Sequence, residues 1–185
     1  MKKILLLAVV MLGVSSVAFG QYDPGAVNVY SDQSQSSCNF TDAGFMTVYF
    51  FHTHTDGATA SQFKLELPAS GVYNHFGDLW QFQTVIGSSI SGVSVAYMVC
   101  QGQNNDIYLG SATFGTVTPA GVCEMLSIIP DPGAPSGLVE IIDCTATKYT
   151  IPVGGVGRVN SDGSCQCEIV PVQETTWGGI KALYD

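Results

Sequence analysis

Short apolar runs separated by turn residues recur along most of this chain, and they predict a fold built of β-strands. The clearest pair is residues 45–55 and 58–67, which flank Asp56-Gly57. Asp-Gly between two alternating runs is typical of a hairpin with a type I′ turn, because both central residues of that turn need positive φ. A register that pairs Thr55 with Ala58 places the apolar side chains of both runs on one face. The facing pairs in that register are Phe50 with Phe63, Val48 with Leu65, and Met46 with Leu67.

Further runs of this kind lie toward the C-terminus. Residues 123–129 and 138–144 flank a loop of Pro, Asp and Gly, and Asp162-Gly163 lies between runs at 157–160 and 165–170. Each arrangement predicts another hairpin. Strands spaced this closely favour an antiparallel β-sandwich, and the hydrophobic fraction of 46% excludes a disordered chain.

One segment near the C-terminus has helical spacing instead. Thr175 and Thr176 offer an N-cap, and Trp177, Ile180 and Tyr184 follow at intervals of three and four. We expect a short amphipathic helix there that docks on the sandwich.

The N-terminus has the three parts of a secretory signal peptide. Lys2 and Lys3 are basic, residues 4–14 are apolar, and Ala18-Phe19-Gly20 supplies a small-residue cleavage site. We therefore expect a signal peptide at residues 1–20, a single domain at 21–185, and an extracellular or periplasmic location. The apolar run is too short to span a bilayer comfortably, so no membrane insertion is expected after cleavage.

The charge of the chain excludes two classes of partner. The sequence has a net charge of −9, and removal of Lys2 and Lys3 would leave four basic residues against 15 acidic ones, a net charge of −11. Nucleic acids and anionic membranes require a basic surface, so neither is an expected partner.

Six cysteines lie after the signal peptide, and their even number predicts three disulfides in an exported chain. They are Cys38, Cys100, Cys123, Cys144, Cys165 and Cys167. The predicted hairpin places Cys123 opposite Cys144, where a bridge is feasible, although Glu124 would then oppose Asp143. Cys165 and Cys167 share one strand face and are expected to take separate partners, with Cys38 and Cys100 as the remaining candidates. A zinc site is disfavoured because there is no second short ligand pair.

Two motifs carry a resemblance to a known group of proteins. They are GATASQF at residues 57–63 and TTWGGIKALY at 175–184, with shorter matches at 29–32 and 48–52. Through them the chain resembles uncharacterised exported bacterial proteins that consist of a single β-sandwich. Some members continue into a C-terminal surface-sorting module, whereas this sequence ends at Asp185, which favours free secretion or periplasmic residence. The pattern is also similar to cohesin-like and immunoglobulin-like sandwiches, which bears on architecture alone.

Aromatic residues in one segment suggest a ligand-binding surface. Tyr73, His75, Trp80 and Phe82 lie within ten residues, and flat aromatic rings can stack on sugars. The competing interpretation is that these large side chains belong to the core. Tyr73, His75 and Trp80 are therefore candidates for a carbohydrate site.

Metal sites have weaker patterns. His52-Thr53-His54 with Asp56 supplies two histidines on one strand face, but the chain offers no obvious further ligands, so rim histidines bonded to hydroxyls are favoured. Asp and Asn residues in loops could serve calcium, but they also occupy turns for conformational reasons. The loop residues concerned are Asp32, Asn104, Asn105, Asp106, Asp131 and Asp162.

The sequence lacks the serine-hydrolase, zinc-protease and phosphate-loop motifs. We therefore expect no catalytic residues and no cofactor. The sequence favours a secreted non-catalytic module that is structural or binds an extracellular protein. The alternative is a carbohydrate-binding module that uses aromatics around Trp80 to bind a polysaccharide.

Overall fold

The computed structural model describes residues 22–103 and 105–167. In these residues the chain forms twelve β-strands and no helix. The strands are β1 (Ala26–Tyr30), β2 (Asn39–Phe40), β3 (Phe45–Thr53), β4 (Ala58–Glu66), β5 (Val72–Trp80), β6 (Thr84–Ser88), β7 (Gly92–Gln101), β8 (Ile107–Thr118), β9 (Glu124–Ile129), β10 (Val139–Asp143), β11 (Lys148–Ile151) and β12 (Val156–Val159). The predicted signal peptide and the predicted C-terminal helix lie outside the described residues. No helix in the described part of the chain is long and apolar enough to cross a membrane.

The strands form two sheets that enclose one core. The smaller sheet has the order β1-β3-β8-β5 and is antiparallel throughout. The larger sheet has the order β11-β10-β4-β9-β12-β2, and β7 and β6 extend it beside β4. Its pairs are antiparallel except for β12 with β2. The predicted antiparallel β-sandwich is therefore confirmed.

The core forms because apolar side chains alternate along the strands. Val48 and Phe50 on β3 and Phe63 and Leu65 on β4 are completely or almost completely buried. The rings of Phe50 and Phe63 have centroids 5.6 Å apart across the space between the sheets. Burial of each such side chain stabilises the fold by about 1.5–3 kcal/mol.

The predicted hairpin across Asp56-Gly57 is wrong, because β3 and β4 belong to different sheets. β3 pairs with β1 and β8, whereas β4 pairs with β7, β9 and β10. Of the two turn residues only Gly57 has positive φ, at 131°, so the type I′ condition is not met. The Asp56-Gly57 connection instead carries the chain from one sheet to the other.

The other two predicted hairpins are also wrong. β9 and β10 are both antiparallel to β4, so they run in the same direction and residues 123–129 and 138–144 do not form a hairpin. β12 pairs with β9 and β2, and residues 165–167 contain no strand, while residues 168–170 of the predicted partner run lie outside the described residues. Asp162 accepts hydrogen bonds from the backbone N–H and the hydroxyl of Ser164. Asp-Gly is therefore accommodated in an Asx-type turn, which does not require a hairpin.

Three disulfides close the sandwich. They join Cys38 to Cys167, Cys100 to Cys144, and Cys123 to Cys165, with Cα–Cα distances of 5.6, 5.1 and 5.8 Å. The expectation that Cys165 and Cys167 take separate partners is confirmed. The bridge considered between Cys123 and Cys144 is wrong, because β9 and β10 run in the same direction beside β4 and do not form the hairpin on which it depended.

Candidate protein-binding face

Three apolar side chains project from the outer face of the smaller sheet. Phe45, Phe76 and Leu79 are 72%, 62% and 76% exposed, and we call this set the apolar face. Phe45 begins β3, where the inward positions are Met46, Val48 and Phe50, so strand alternation directs Phe45 outward. The rings of Phe45 and Phe76 have centroids 5.7 Å apart, so they form one surface rather than two isolated side chains.

A β-bulge directs Phe76 onto this surface. On β5, His75 lies opposite Phe114 and Gly77 lies opposite Thr113, so Phe76 is the extra residue between two neighbouring pairs. Its ring covers Gly115, where a Cβ atom would collide with it. The bulge and the missing side chain at position 115 together hold an exposed aromatic ring flat against the sheet.

The smaller sheet carries almost no charge on its strands. β1, β3, β5 and β8 contain no Lys, Arg or Glu, and their one acidic residue is Asp78. The Asp78 side chain is only 7% exposed and bonds to Ser89 in the turn between β6 and β7. The strands of the larger sheet, in contrast, carry seven charged residues: Lys64, Glu66, Glu124, Glu140, Asp143, Lys148 and Arg158. The apolar face is therefore an uncharged surface on an acidic protein.

The predicted aromatic set does not form a solvent-facing platform. Trp80 is half-buried, stacks on Phe50 with ring centroids 5.5 Å apart, and meets the edge of Phe63 at 6.3 Å. Tyr73 packs against the core and donates a hydrogen bond from its hydroxyl to Asp42 at 2.9 Å. His75 lies over Phe114, one of the most buried side chains. These side chains thus turn toward the interior, as their core interpretation expected.

Asp42 is the hub of a buried polar cluster. It is 1% exposed and accepts hydrogen bonds from the N–H of Ala120 at 2.7 Å, from the side chain of Asn160 at 2.7 Å, and from Tyr73. Burial acts to raise the pKa of Asp42, but these hydrogen bonds together lower it. Burial and the neighbouring carboxylate raise the pKa of Tyr73. The cluster joins β5, the chain after β12 and two connections, which is a structural role.

His75, Asp78 and Ser89 contain the residue types of a hydrolase triad but not its geometry. His75 Nε2 and Ser89 Oγ both bond to the same oxygen of Asp78, at 2.8 and 2.7 Å. Ser89 is completely buried, and its hydroxyl is bound to the carboxylate rather than to the imidazole. A nucleophile must contact its base. This trio is a crosslink between β5 and the β6–β7 turn.

The two neighbouring histidines have separate partners. His52 is buried, and its ring nitrogens lie 3.1 Å from the Tyr97 hydroxyl and 2.7 Å from the Pro24 carbonyl oxygen. His54 is exposed, and its Nδ1 bonds to the Thr53 hydroxyl at 3.0 Å. The hydroxyl partners agree with the favoured interpretation, but the expected rim position is wrong for His52, which is completely buried in the core.

Among the described residues, one group has the spacing of metal ligands: Cys123, Asp162 and Cys165. The two sulfurs of that group are joined to each other, so they are not available as thiolates.

Of the loop residues considered for calcium, Asp32, Asp131 and Asp162 accept hydrogen bonds from neighbouring protein donors, and Asn104 lies outside the described residues. Asp131 accepts from the N–H of Gly133 at 2.7 Å and from the side chain of Gln62 at 2.9 Å. Hydrogen bonds from Ser34 and Ser36 lower the pKa of Asp32 to about 2. These contacts are those of turn-forming aspartates.

Comparisons with known proteins give two similar solved structures. No family model matches the chain, and no curated protein matches it. A cohesin module from a Clostridium perfringens family 33 glycoside hydrolase has 7% identity and a TM-score of 0.45, covering 75% of this chain and 98% of the module. The sixth cohesin of Acetivibrio cellulolyticus scaffoldin B, in complex with a Cel5 dockerin, has 13% identity and a TM-score of 0.47, covering 74% and 99%. TM-scores below 0.5 assign neither a function nor a binding surface to this chain.

Proposed function

We propose that this chain is an exported, non-catalytic module that binds another protein through the apolar face. The observation that carries the proposal is the exposure of Phe45, Phe76 and Leu79 on a sheet whose strands bear no outward charge. Cores of protein interfaces are depleted in charged residues and enriched in aromatic ones. Contiguous exposed apolar patches on soluble proteins commonly mark interaction sites.

The face is suited to binding because its side chains are already fixed. Phe45 and Phe76 pack against each other, and both lie on strands that are paired to β8. Side chains that are ordered before binding lose little conformational entropy when the partner arrives. A rigid pair of aromatic rings of this kind serves as an anchor for an apolar pocket.

The negative net charge of the chain bears on the kind of partner that the apolar face would bind. A second copy of the exported chain, without Lys2 and Lys3, would bring a further net charge of −11 against the first (4 basic and 15 acidic residues), and like charges oppose association. We therefore propose a different protein, with an apolar patch and a neutral or basic rim. A polysaccharide has less support on this surface, because Tyr73, His75 and Trp80 turn inward.

Site-specific crosslinking tests the proposal. A photoreactive benzoylphenylalanine is placed at position 76 and, as a control, at position 86, where Ile86 is 74% exposed on the other sheet. Illumination in the presence of the proteins exported by the source cells should give a discrete product from position 76 and none from position 86. A product from position 86 alone, or from neither position, contradicts the proposal. A product that contains two copies of this chain would contradict the proposal of a different partner and would show that the chain associates with itself.

A further inference from the structure

A cleft opens at the end of the sandwich where β5 leads into β6. It has a volume of about 430 Å³ and lies between the β5–β6 connection and the β7–β8 connection. Six of its lining residues carry functional side chains: Gln81, Phe82, Gln101, Asn105, Asp106 and Tyr108. The size falls within the range of small-molecule sites.

The polar groups in the cleft are mostly neutral and include both donors and acceptors. The side chains of Gln81, Gln101 and Asn105 each offer an amide N–H₂ and a carbonyl oxygen. No hydrogen bond within the described residues occupies these three amides. Asp106 adds a carboxylate acceptor, and the lining contains no Lys or Arg. Anionic ligands are disfavoured by this composition, whereas hydroxyl groups can both donate to it and accept from it.

Two aromatic rings in the cleft are supported from behind. Phe82 stacks on the buried Tyr97, with ring centroids 4.9 Å apart and planes inclined by 28°. Tyr108 packs on Phe51 at 5.1 Å. Both rings are half-buried, so each presents apolar surface to the cleft while its other contacts hold it in place. Rings fixed in this way suit the flat apolar faces of sugar rings.

Hydrogen bonds hold the backbone of residue 81 and the carboxylate of Asp106 near these rings. The N–H of Gln81 bonds to the carbonyl oxygen of Leu109 at 2.9 Å. The carboxylate of Asp106 accepts from the N–H of His54 at 3.2 Å, which leaves its second oxygen for a ligand. The main chain at residue 81 and the carboxylate of residue 106 are therefore held in place, and the Gln81 amide is free to turn toward a ligand.

We propose that this cleft binds a neutral oligosaccharide. The amides and Asp106 bind its hydroxyl groups, and Phe82 and Tyr108 contact the faces of its sugar rings. None of the residues that line the cleft belongs to the apolar face, and Trp80 is not used as a stacking surface.

Calorimetric titration of the purified protein with neutral hexasaccharides tests the proposal. The probes are cellohexaose, xylohexaose, mannohexaose and laminarihexaose, and an oligogalacturonate serves as the anionic comparison. We expect one of the neutral probes to bind with a Kd below about 1 mM. We also expect it to shift the NMR signals of the Gln81 and Gln101 side-chain amides.

Two variants and a matched control place the ligand. Tyr108→Ala and Gln81→Ala should each weaken binding by about tenfold. Gln83→Ala changes an exposed amide two residues away that does not line the cleft, and it should bind like the wild type. Retained folding of each variant is checked by the dispersion of its amide spectrum.

Three results would overturn the proposal. The first is that none of the neutral probes binds with a Kd below about 1 mM. The second is that a neutral probe binds, but that Tyr108→Ala and Gln81→Ala leave its affinity unchanged while both variants remain folded. The third is that the oligogalacturonate binds more tightly than every neutral probe.

Discussion

The imidazole of His52 on β3 and the hydroxyl of Tyr97 on β7 lie 3.1 Å apart and join the two sheets through the core. His52 Nε2 lies 2.7 Å from the carbonyl oxygen of Pro24, so that nitrogen carries the ring proton. Nδ1 lies against the Tyr97 hydroxyl, which also donates to the Ser61 hydroxyl at 2.8 Å. The neutral imidazole thus holds the chain before β1 and the larger sheet at the same time.

Stability should depend on pH through His52. Burial lowers the pKa of His52, although the Pro24 carbonyl, Asp106 and Asp23 oppose that effect. The unfolded chain, with an ordinary pKa near 6.5, binds the proton more readily. The stabilising contribution is therefore fully present above about pH 6.5 and falls as the pH drops toward the folded pKa.

Urea unfolding at a series of pH values measures this dependence. The free energy of unfolding of the wild type should decline between about pH 7 and pH 5, and His52→Gln should show a flatter profile over that range. Identical slopes for the two proteins would show that His52 is not the responsible group.

Asp42→Asn should destabilise the fold strongly. The substitution replaces a carboxylate that accepts three hydrogen bonds and forces an N–H₂ group toward one of the donors. We expect a loss of about 2–4 kcal/mol in the free energy of unfolding, because a buried donor is left without an acceptor. Asp162→Asn, at an exposed Asx-type turn, is the control and should cost less than about 0.5 kcal/mol. Equal costs would contradict the role given to Asp42.

The two Asp-Gly glycines should respond differently to alanine. Gly57 has φ of 131°, and a Cβ atom there would lie 2.9 Å from the sulfur of Cys144. Gly163 has open space around its Cα, and its φ lies outside the left-handed region. Gly57→Ala should therefore lower the free energy of unfolding by about 1–3 kcal/mol, and Gly163→Ala should be nearly neutral. Thermal unfolding of both variants distinguishes this result from the equal response that two type I′ hairpins would give.

The strands of the sandwich could be predicted from the sequence, but their partners could not. Alternation along residues 45–55 and 58–67 correctly places Phe50 and Phe63 on facing surfaces, 5.6 Å apart. The same alternation fits a hairpin and a crossing between two sheets, because both bring the inward faces together. The hairpin is excluded because β7 and β10 occupy the two edges of β4, and both of those pairings are non-local.

The candidate sites were harder to predict than the fold. The outward direction of Phe45 follows from strand alternation, but that of Phe76 depends on a bulge that has no distinct sequence signal. The cleft combines residues 81–82 with residues 101–108, which are adjacent only because β5 and β8 pair. The aromatic character of Trp80 made it a candidate for a carbohydrate site, but its environment is set by Phe50 and Phe63 from two other strands.

Removal of single disulfides should give costs that follow loop length. Cys123–Cys165 and Cys100–Cys144 close loops of similar size, with separations of 42 and 44 residues, whereas Cys38–Cys167 spans 129. Paired Cys→Ala variants should lose about 4 kcal/mol for each of the first two and about 5 kcal/mol for the third on the entropic model. Peptide mapping without reduction checks the pairs directly, and a Cys123–Cys144 peptide would contradict the topology.

The affinity of the crosslinked partner for variants of the apolar face tests the proposed function most directly. Leu79→Asp places a charge at a 76% exposed position within the face, and Ile86→Asp places the same charge at a 74% exposed position outside it. Isothermal titration should show at least about thirtyfold weaker binding for Leu79→Asp and unchanged binding for Ile86→Asp. Equal affinities for the two variants, or a loss confined to Ile86→Asp, would contradict the assignment of the apolar face as the binding surface.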